Sequence, residues 1–91
     1  SQEQIVRYLY RVVYQLIIDV VEKCAEGMSV REEDKKFIAD FYKYAFVGIM
    51  LEWISHNMSQ PPEKIVERLS DLIDGDINRM LEKYRTDKSR I

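Results

Sequence analysis

The sequence predicts an all-α domain, and three observations support this prediction. Apolar residues recur at three- and four-residue spacing in three long segments, as they do on the buried face of a helix. The chain contains only three glycines and two prolines, which lie between these segments or on a polar face. No stretch alternates apolar and polar residues in the manner of a half-buried strand. We therefore expect one domain over residues 1–91, with three long helices at about residues 2–25, 30–57 and 62–84.

The first predicted helix, at residues 2–25, carries a wide apolar arc. Its apolar residues are Ile5, Leu9, Val12, Val13, Leu16, Val20 and Cys24, with Val6, Tyr10, Ile17 and Val21 at the edges. An arc of this width predicts two neighbouring helices rather than one. Gly27 is suited to end the helix, because glycine readily takes the left-handed conformation found at helix C-termini.

The second predicted helix, at residues 30–57, has two candidate starts. Ser29 and Glu32 have the spacing of a capping box, whereas Asp34 is a competing start. From Tyr44 to Leu51 the helix has no charged residue and is apolar in three directions. Such a helix should be buried on all sides. Two helices of the same chain cover only two of these directions, so we expect a second copy of the chain to cover the third.

The third predicted helix, at residues 62–84, begins after two consecutive prolines, and Pro62 suits the first helical position. Its apolar stripe consists of Ile65, Val66, Leu69, Leu72, Ile73, Ile77, Met80, Leu81 and Tyr84. The phase of the stripe does not change at Gly75, which predicts one continuous helix. Asp76 lies inside the apolar arc, where it would either form a hydrogen bond across a dimer or face water. Residues 86–91 are expected to fray.

Composition and charge argue against several functional classes. The net charge is −2, whereas nucleic-acid-binding modules usually carry a basic excess. The longest uninterrupted nonpolar run has eight residues, Tyr44 to Leu51, and a membrane-spanning helix needs about 20. One cysteine, Cys24, and one histidine, His56, are too few for a zinc site. We therefore expect no membrane insertion, no metal, no cofactor and no catalytic residues, hence no enzyme, and a cytoplasmic location.

Aromatic residues provide the only binding chemistry that the sequence suggests. Tyr8, Tyr14 and Tyr42 would give an inter-helix cavity an apolar wall with hydroxyl groups, although ordinary packing is the alternative reading. The predicted ligand pocket consists of Tyr8, Tyr14, Tyr42, Phe46, Met50 and Trp53. Gly48 would let another helix approach closely, unless it only makes room for Phe46 or Trp53 within one subunit.

The stretch from Phe41 to Ile54 resembles the penultimate helix of TetR-like transcriptional regulators, in the C-terminal domain type common in Firmicutes. That type carries a glycine and then a tryptophan four or five positions on, matched here by Gly48 and Trp53. A polar turn, a proline and a helix start with glutamate follow, matched by Pro62-Glu63. The final helix is similar in length and apolar phase, and the resemblance covers about residues 37–84.

The resemblance implies a domain that dimerises through its last two helices, which form a four-helix bundle with those of a second copy. The predicted interface residues are Tyr44, Val47, Gly48, Leu51, Ile54, Leu69, Ile73, Ile77 and Met80. It also implies a small apolar or aromatic effector in the predicted pocket. The family's helix-turn-helix domain has no counterpart in residues 1–91, so we expect a fragment of a bacterial regulator that does not itself bind DNA. The alternative function is a helical structural or interaction adaptor without a ligand.

Overall fold

The computed structural model describes residues 2–87, and this part of the chain forms four helices. They are α1 (Gln2–Cys24), α2 (Glu32–Ser55), α3 (Pro62–Ile73) and α4 (Asp76–Tyr84). No strand occurs within residues 2–87, and the all-α prediction is confirmed. The third predicted helix consists of two helices, α3 and α4, joined through Asp74 and Gly75.

The core lies where α1, α2 and α4 meet. Val21 from α1, Val47 from α2 and Leu81 from α4 have no exposed surface. The other core residues are Val13, Ile17, Ala25, Ile38, Ala39, Tyr42 and Ile77. The α1 stripe Val13-Ile17-Val21 has the four-residue spacing of one helix face, which explains why it meets α2 along its length. All core residues come from outside α3.

The start of α2 differs from the predicted capping box. The helix begins at Glu32 after Arg31, whose side chain forms no capping hydrogen bond. Ser29 lies before the helix, and its carbonyl oxygen accepts hydrogen bonds from the backbone N–H and Oγ1 of Thr86, at 2.7 Å and 3.1 Å. The prediction of a Ser29 cap is therefore wrong, because α2 begins three residues after Ser29, with Arg31 at the N-cap position. Acidic residues in the first turn of α2 still suit the positive end of the helix dipole.

The segment after α4 was predicted to fray from residue 86 onward. Thr86 and Asp87 are non-helical but are tethered to the loop between α1 and α2 through Ser29. Residues 88–91, the rest of the segment predicted to fray, lie outside the described residues, as does Ser1. This tether brings the end of α4 back to the start of α2.

The third predicted helix is interrupted at Gly75, where one continuous helix was predicted. Gly75 has a φ of 75° and Asp74 is extended, with a ψ of 116°. A residue in an α-helix needs φ near −63°, so the prediction of an unbroken helix is wrong. The break redirects the chain: Ile77 and Leu81 of α4 reach the core, whereas no residue of α3 is buried.

The connection from α2 to α3 also contains left-handed backbone. The helix α2 ends at Ser55, two residues before the predicted end, and Asn57 and Met58 have φ values of 58° and 53°. Trp53 Nε1 donates a hydrogen bond of 2.6 Å to the carbonyl oxygen of Gln60, which fixes the indole under this turn. As a result, α3 lies between a left-handed turn at one end and Gly75 at the other.

The overall dimensions are those of an open, flat arrangement. The chain measures 54 × 27 × 15 Å along its principal axes, and the shortest dimension is only slightly larger than the diameter of about 10–12 Å of one helix with its side chains. Within residues 2–87, no helix combines the length and the apolar character needed to cross a membrane.

Candidate functional site

Exposed apolar side chains lie on α3 and on the C-terminal half of α2, among other places. Val66 and Leu72 of α3 are 64% and 76% exposed, and Ile54 of α2 is 50% exposed. We call this surface, formed by residues 46–56 and 60–73, the α2–α3 face. Contiguous apolar surface of this kind usually marks a contact with a partner or ligand.

One cavity in the α2–α3 face is almost entirely apolar. It has a volume of about 390 Å³ and is lined by Phe46, Met50 and Trp53 of α2 and by Pro62, Ile65, Val66, Leu69, Ser70 and Ile73. We call it the apolar cavity. Ser70 supplies its only polar side chain. The walls therefore favour an uncharged, hydrophobic ligand, since a charged group there would lose its hydration without finding a partner.

A second depression in the α2–α3 face shares Trp53, Ile65 and Leu69 with the apolar cavity as lining residues. It has a volume of about 550 Å³ and is lined by Gly48, Ile49, Glu52, Trp53, His56, Ser59, Gln60, Ile65, Arg68, Leu69 and Leu72. We call it the charged groove, because Glu52 on α2 and Arg68 on α3 both line it. Neither side chain forms an ion pair with another residue in the range 2–87. His56 Nδ1 lies 2.9 Å from the carbonyl oxygen of Glu52 at the end of α2.

The predicted interface residues divide into exposed and buried groups. Tyr44, Gly48 and Ile54 are exposed, and Leu51, Leu69, Ile73 and Met80 are half-buried. Val47 and Ile77, in contrast, are 0% and 5% exposed. These two side chains pack in the core formed by α1, α2 and α4, so they offer no surface to a partner. The remaining interface residues stay a prediction.

The predicted pocket residues do not all share one cavity. Phe46, Met50 and Trp53 line the apolar cavity together. Tyr8 is exposed on α1, where the Arg11 guanidinium carbon lies 5.6 Å from its ring centre. The α3 half of the cavity was not predicted. The sequence predicts Leu69 and Ile73 as interface residues and Ile65 as part of the apolar stripe, and none of them as a cavity wall.

Tyr14 belongs to a cluster of tyrosines around Lys43 that joins α1 to α2. Lys43 Nζ lies 4.2 Å from the ring centre of Tyr44, 5.5 Å from that of Tyr14 and 6.0 Å from that of Tyr10. It also donates a hydrogen bond of 3.2 Å to Asp40. Burial by itself would lower the pKa of Lys43, but hydrogen bonds and charge interactions with Asp40 and Tyr44 outweigh it and raise this pKa. Tyr14 therefore holds an ammonium group of its own chain.

A hydrogen bond between Tyr42 and Asp76 accounts for the positions of both side chains. Tyr42, only 7% exposed, donates its hydroxyl hydrogen bond to Asp76 at the start of α4. Arg79, one turn further on, pairs with the same carboxylate. Asp76 was predicted to bond across a dimer or to face water, but the structure gives it a partner within the chain. This bond ties α4 to α2 next to the break at Gly75.

Groups that could hold a metal ion are not assembled in the part of the chain that the structure describes. Among residues 2–87, no three His, Cys, Asp or Glu side chains are placed to hold a metal ion together. Cys24, at the end of α1, is half-buried beside the core. The chemistry of the α2–α3 face is that of apolar binding with two flanking charges.

Residues 1–75 match the family model TetR_C_8, whose description is "Transcriptional regulator C-terminal region". The matched part includes α1, α2, α3 and every residue that lines the apolar cavity and the charged groove. Neither a curated protein nor a solved structure matches the chain.

Proposed function

The chain belongs to the family of TetR-like regulator C-terminal regions, and we propose that it is the dimerisation and effector-binding domain of a bacterial transcriptional regulator. In such a regulator, DNA would be bound in the cytoplasm by a helix-turn-helix domain that precedes this region. The net charge of −2 fits a chain that leaves DNA contacts to another domain.

The observation that carries this proposal is the uncovered apolar surface of α3. None of its residues is buried: Ile65, Leu69 and Ile73 are half-buried, and Val66 and Leu72 are 64% and 76% exposed. Burying a side chain of this size completely contributes about 1.5–3 kcal/mol, so a lone subunit forgoes a large part of these contributions. A second copy that packs its α2–α3 face against the first would supply them in a four-helix arrangement.

The apolar cavity supports the effector part of the proposal. Its walls come from two helices, with Phe46 and Met50 on α2 and Ile73 on α3. A ligand that fills the cavity fixes the position of α3 relative to α2. If the dimer is built on the same two helices, a ligand that prefers one position of α3 shifts the population of dimer arrangements. This change would be passed on to the DNA-binding domains.

Light scattering on the 91-residue chain tests the dimer, which should have twice the 10.9 kDa mass of one chain at low micromolar concentration. Trp53 is the only tryptophan and lines the apolar cavity, so its fluorescence should change when uncharged aromatic compounds are titrated. A monomer at all concentrations would contradict dimerisation. A dimer whose Trp53 emission responds to none of these compounds would contradict the effector role and favour a structural adaptor.

A further inference from the structure

The charged groove contains two opposite charges that the described chain leaves without ion-pair partners. Glu52 extends from α2 and Arg68 from α3, on the two walls of the same depression. The groove is also lined by apolar side chains, which include Ile49, Trp53 and Leu72. An occupant that covers these side chains must also approach both charges. An approaching group that leaves either charge desolvated and unpaired would bind poorly.

We infer that the occupant of the charged groove is a second copy of this chain, and that Glu52 of one subunit pairs with Arg68 of the partner subunit. The inference rests on the proposed dimer and adds the residues that set its register. In a twofold dimer, each contact occurs twice with the roles of the subunits exchanged. One Glu52 and one Arg68 per subunit therefore give two ion pairs, and no charge remains unpaired.

Charge complementarity favours a second copy over a small ligand with a single charge or none. A ligand with a single negative charge would satisfy Arg68 and repel Glu52, and a cation would do the reverse. An uncharged apolar ligand would leave both groups unpaired. A surface with one positive and one negative group is self-complementary under a twofold rotation, so the same chain meets the requirement without any additional group.

Gly48 provides the space that this arrangement needs. It lines the charged groove on α2, and nothing lies within 4 Å of a Cβ atom built on it. No side chain of the same subunit therefore fills this position, and the partner's backbone can approach α2 closely here. Exposed Ile54, two residues after Glu52, extends the apolar surface beyond the groove.

Charge reversal tests the pairing, with the dimer dissociation constant of the 91-residue chain as the readout. Glu52→Arg and Arg68→Glu each place like charges opposite each other twice, and each should raise the dissociation constant about tenfold or more. The double variant Glu52→Arg/Arg68→Glu exchanges the two charges and should return it to within about threefold of the wild-type value. Glu26→Arg is the matched control, because it makes the same change of charge at an exposed residue outside the α2–α3 face.

Mixing the two single variants gives an independent measurement. In a heterodimer, Arg at position 52 of one chain faces Glu at position 68 of the other, and native Arg68 faces native Glu52. The mixture should therefore form heterodimers, detected by native mass spectrometry, more tightly than either variant forms homodimers. Circular dichroism checks that both variants retain their helices, since both side chains lie in a solvent-accessible groove.

The outcomes separate this inference from the proposed function. A wild-type chain that remains monomeric contradicts the dimer itself and the pairing with it. A wild-type dimer that is insensitive to both reversals, or a double variant and mixture that show no recovery, contradicts the pairing alone. In that case the dimer stands on other surfaces, and the charged groove is left to a different occupant.

Discussion

The helices α3 and α4 follow each other with two residues between them, yet they pack in opposite ways. Both have apolar residues at helical spacing. In α4 these residues are Ile77 and Leu81, which are buried against α1 and α2, whereas α3 has no buried residue. An apolar stripe therefore predicts a helix and the face that is to be buried, but the stripe does not identify what covers that face.

The difference between the two helices originates at their joint. Gly75 turns the chain, and the Tyr42–Asp76 hydrogen bond holds the start of α4 on α2 immediately after the turn. The tether from Thr86 to Ser29 holds the other end of α4. We call the core where α1, α2 and α4 meet the closed region and contrast it with α3. The chain itself covers the closed region, whereas α3 and the exposed side of the C-terminal half of α2 are the part that a partner would cover.

The free energy of unfolding should change most when a leucine is truncated on each of the two helices. Leu81→Ala removes a fully buried side chain and should lower the free energy of unfolding by about 3 kcal/mol, because it leaves a cavity in the closed region. Leu72→Ala removes a side chain that is 76% exposed, and should change the stability of the isolated subunit by less than about 0.5 kcal/mol. Urea denaturation, at a concentration where the chain is monomeric, measures both.

When the dimer dissociation constant is measured instead, Leu72→Ala should have a larger effect than Leu81→Ala. Leu72 lies on the α2–α3 face, so Leu72→Ala should weaken the dimer. A Leu72→Ala variant with the stability and the dimer affinity of the wild type would show that α3 is not the covered helix. A large loss of monomer stability in Leu72→Ala would instead show that α3 packs on its own subunit in solution.

The next effect concerns the bond that anchors α4. Tyr42→Phe removes a hydroxyl that is bonded to the Asp76 carboxylate, and should lower the free energy of unfolding by about 1–2 kcal/mol. Tyr8→Phe is the control, because the hydroxyl of Tyr8 is on an exposed side chain of α1. Thermal unfolding of both variants should separate them. Equal melting temperatures would mean that the Tyr42 hydroxyl contributes nothing to holding α4.

A smaller effect should follow from changing the joint itself. Gly75→Ala introduces a side chain at a φ of 75° and should lower the free energy of unfolding by about 1 kcal/mol, even though the Cβ meets no neighbour. Gly48→Ala is the contrasting change, because Gly48 is helical and should gain up to about 1 kcal/mol of helix propensity in the monomer. Denaturation curves of the two variants should therefore shift in opposite directions.

The sequence predicts where the helices lie but not how they are arranged, and the physical reason differs from residue to residue. The three apolar stripes and Gly27 follow from local rules, and those helices exist. The break at Gly75 was not predictable from the stripe, because Asp74 and Gly75 interrupt the helix without changing which residues are apolar. Asp76 inside the apolar arc was the available signal, since a carboxylate there requires a partner, and Tyr42 supplies it.

The candidate site shows the same limit. Phe46, Met50 and Trp53 line one cavity, because they share one side of a single helix, and their role in ligand binding stays a prediction. The predicted pocket joined them to Tyr14 and Tyr42, and the structure gives those tyrosines other partners in Lys43 and Asp76. Contacts between helices depend on their relative rotation, which neither spacing nor composition encodes.

The smallest expected effect lies at the tether of the closed region and depends on pH. Hydrogen bonds from Arg85, at 2.7 Å and 3.2 Å, lower the pKa of Asp87 from 3.8 to about 2, and a backbone hydrogen bond from Ser29 contributes. Because the pKa is lowered in the folded state, the stabilisation is present above about pH 3.8. It is lost as the pH falls through about 2.

Asp87→Asn should therefore lower the melting temperature slightly at pH 6, and the difference from the wild type should disappear as the pH approaches 2. Asp71→Asn is the matched control, because Asp71 is exposed on α3 and forms no ion pair within residues 2–87. Melting curves of the three proteins between pH 6 and pH 2 make the comparison. A shift of equal size in both variants would mean that Asp87 acts only through net charge. A shift confined to Asp87→Asn would show that the Asp87 carboxylate, through Arg85 and Ser29, stabilises the segment after α4 within a single chain.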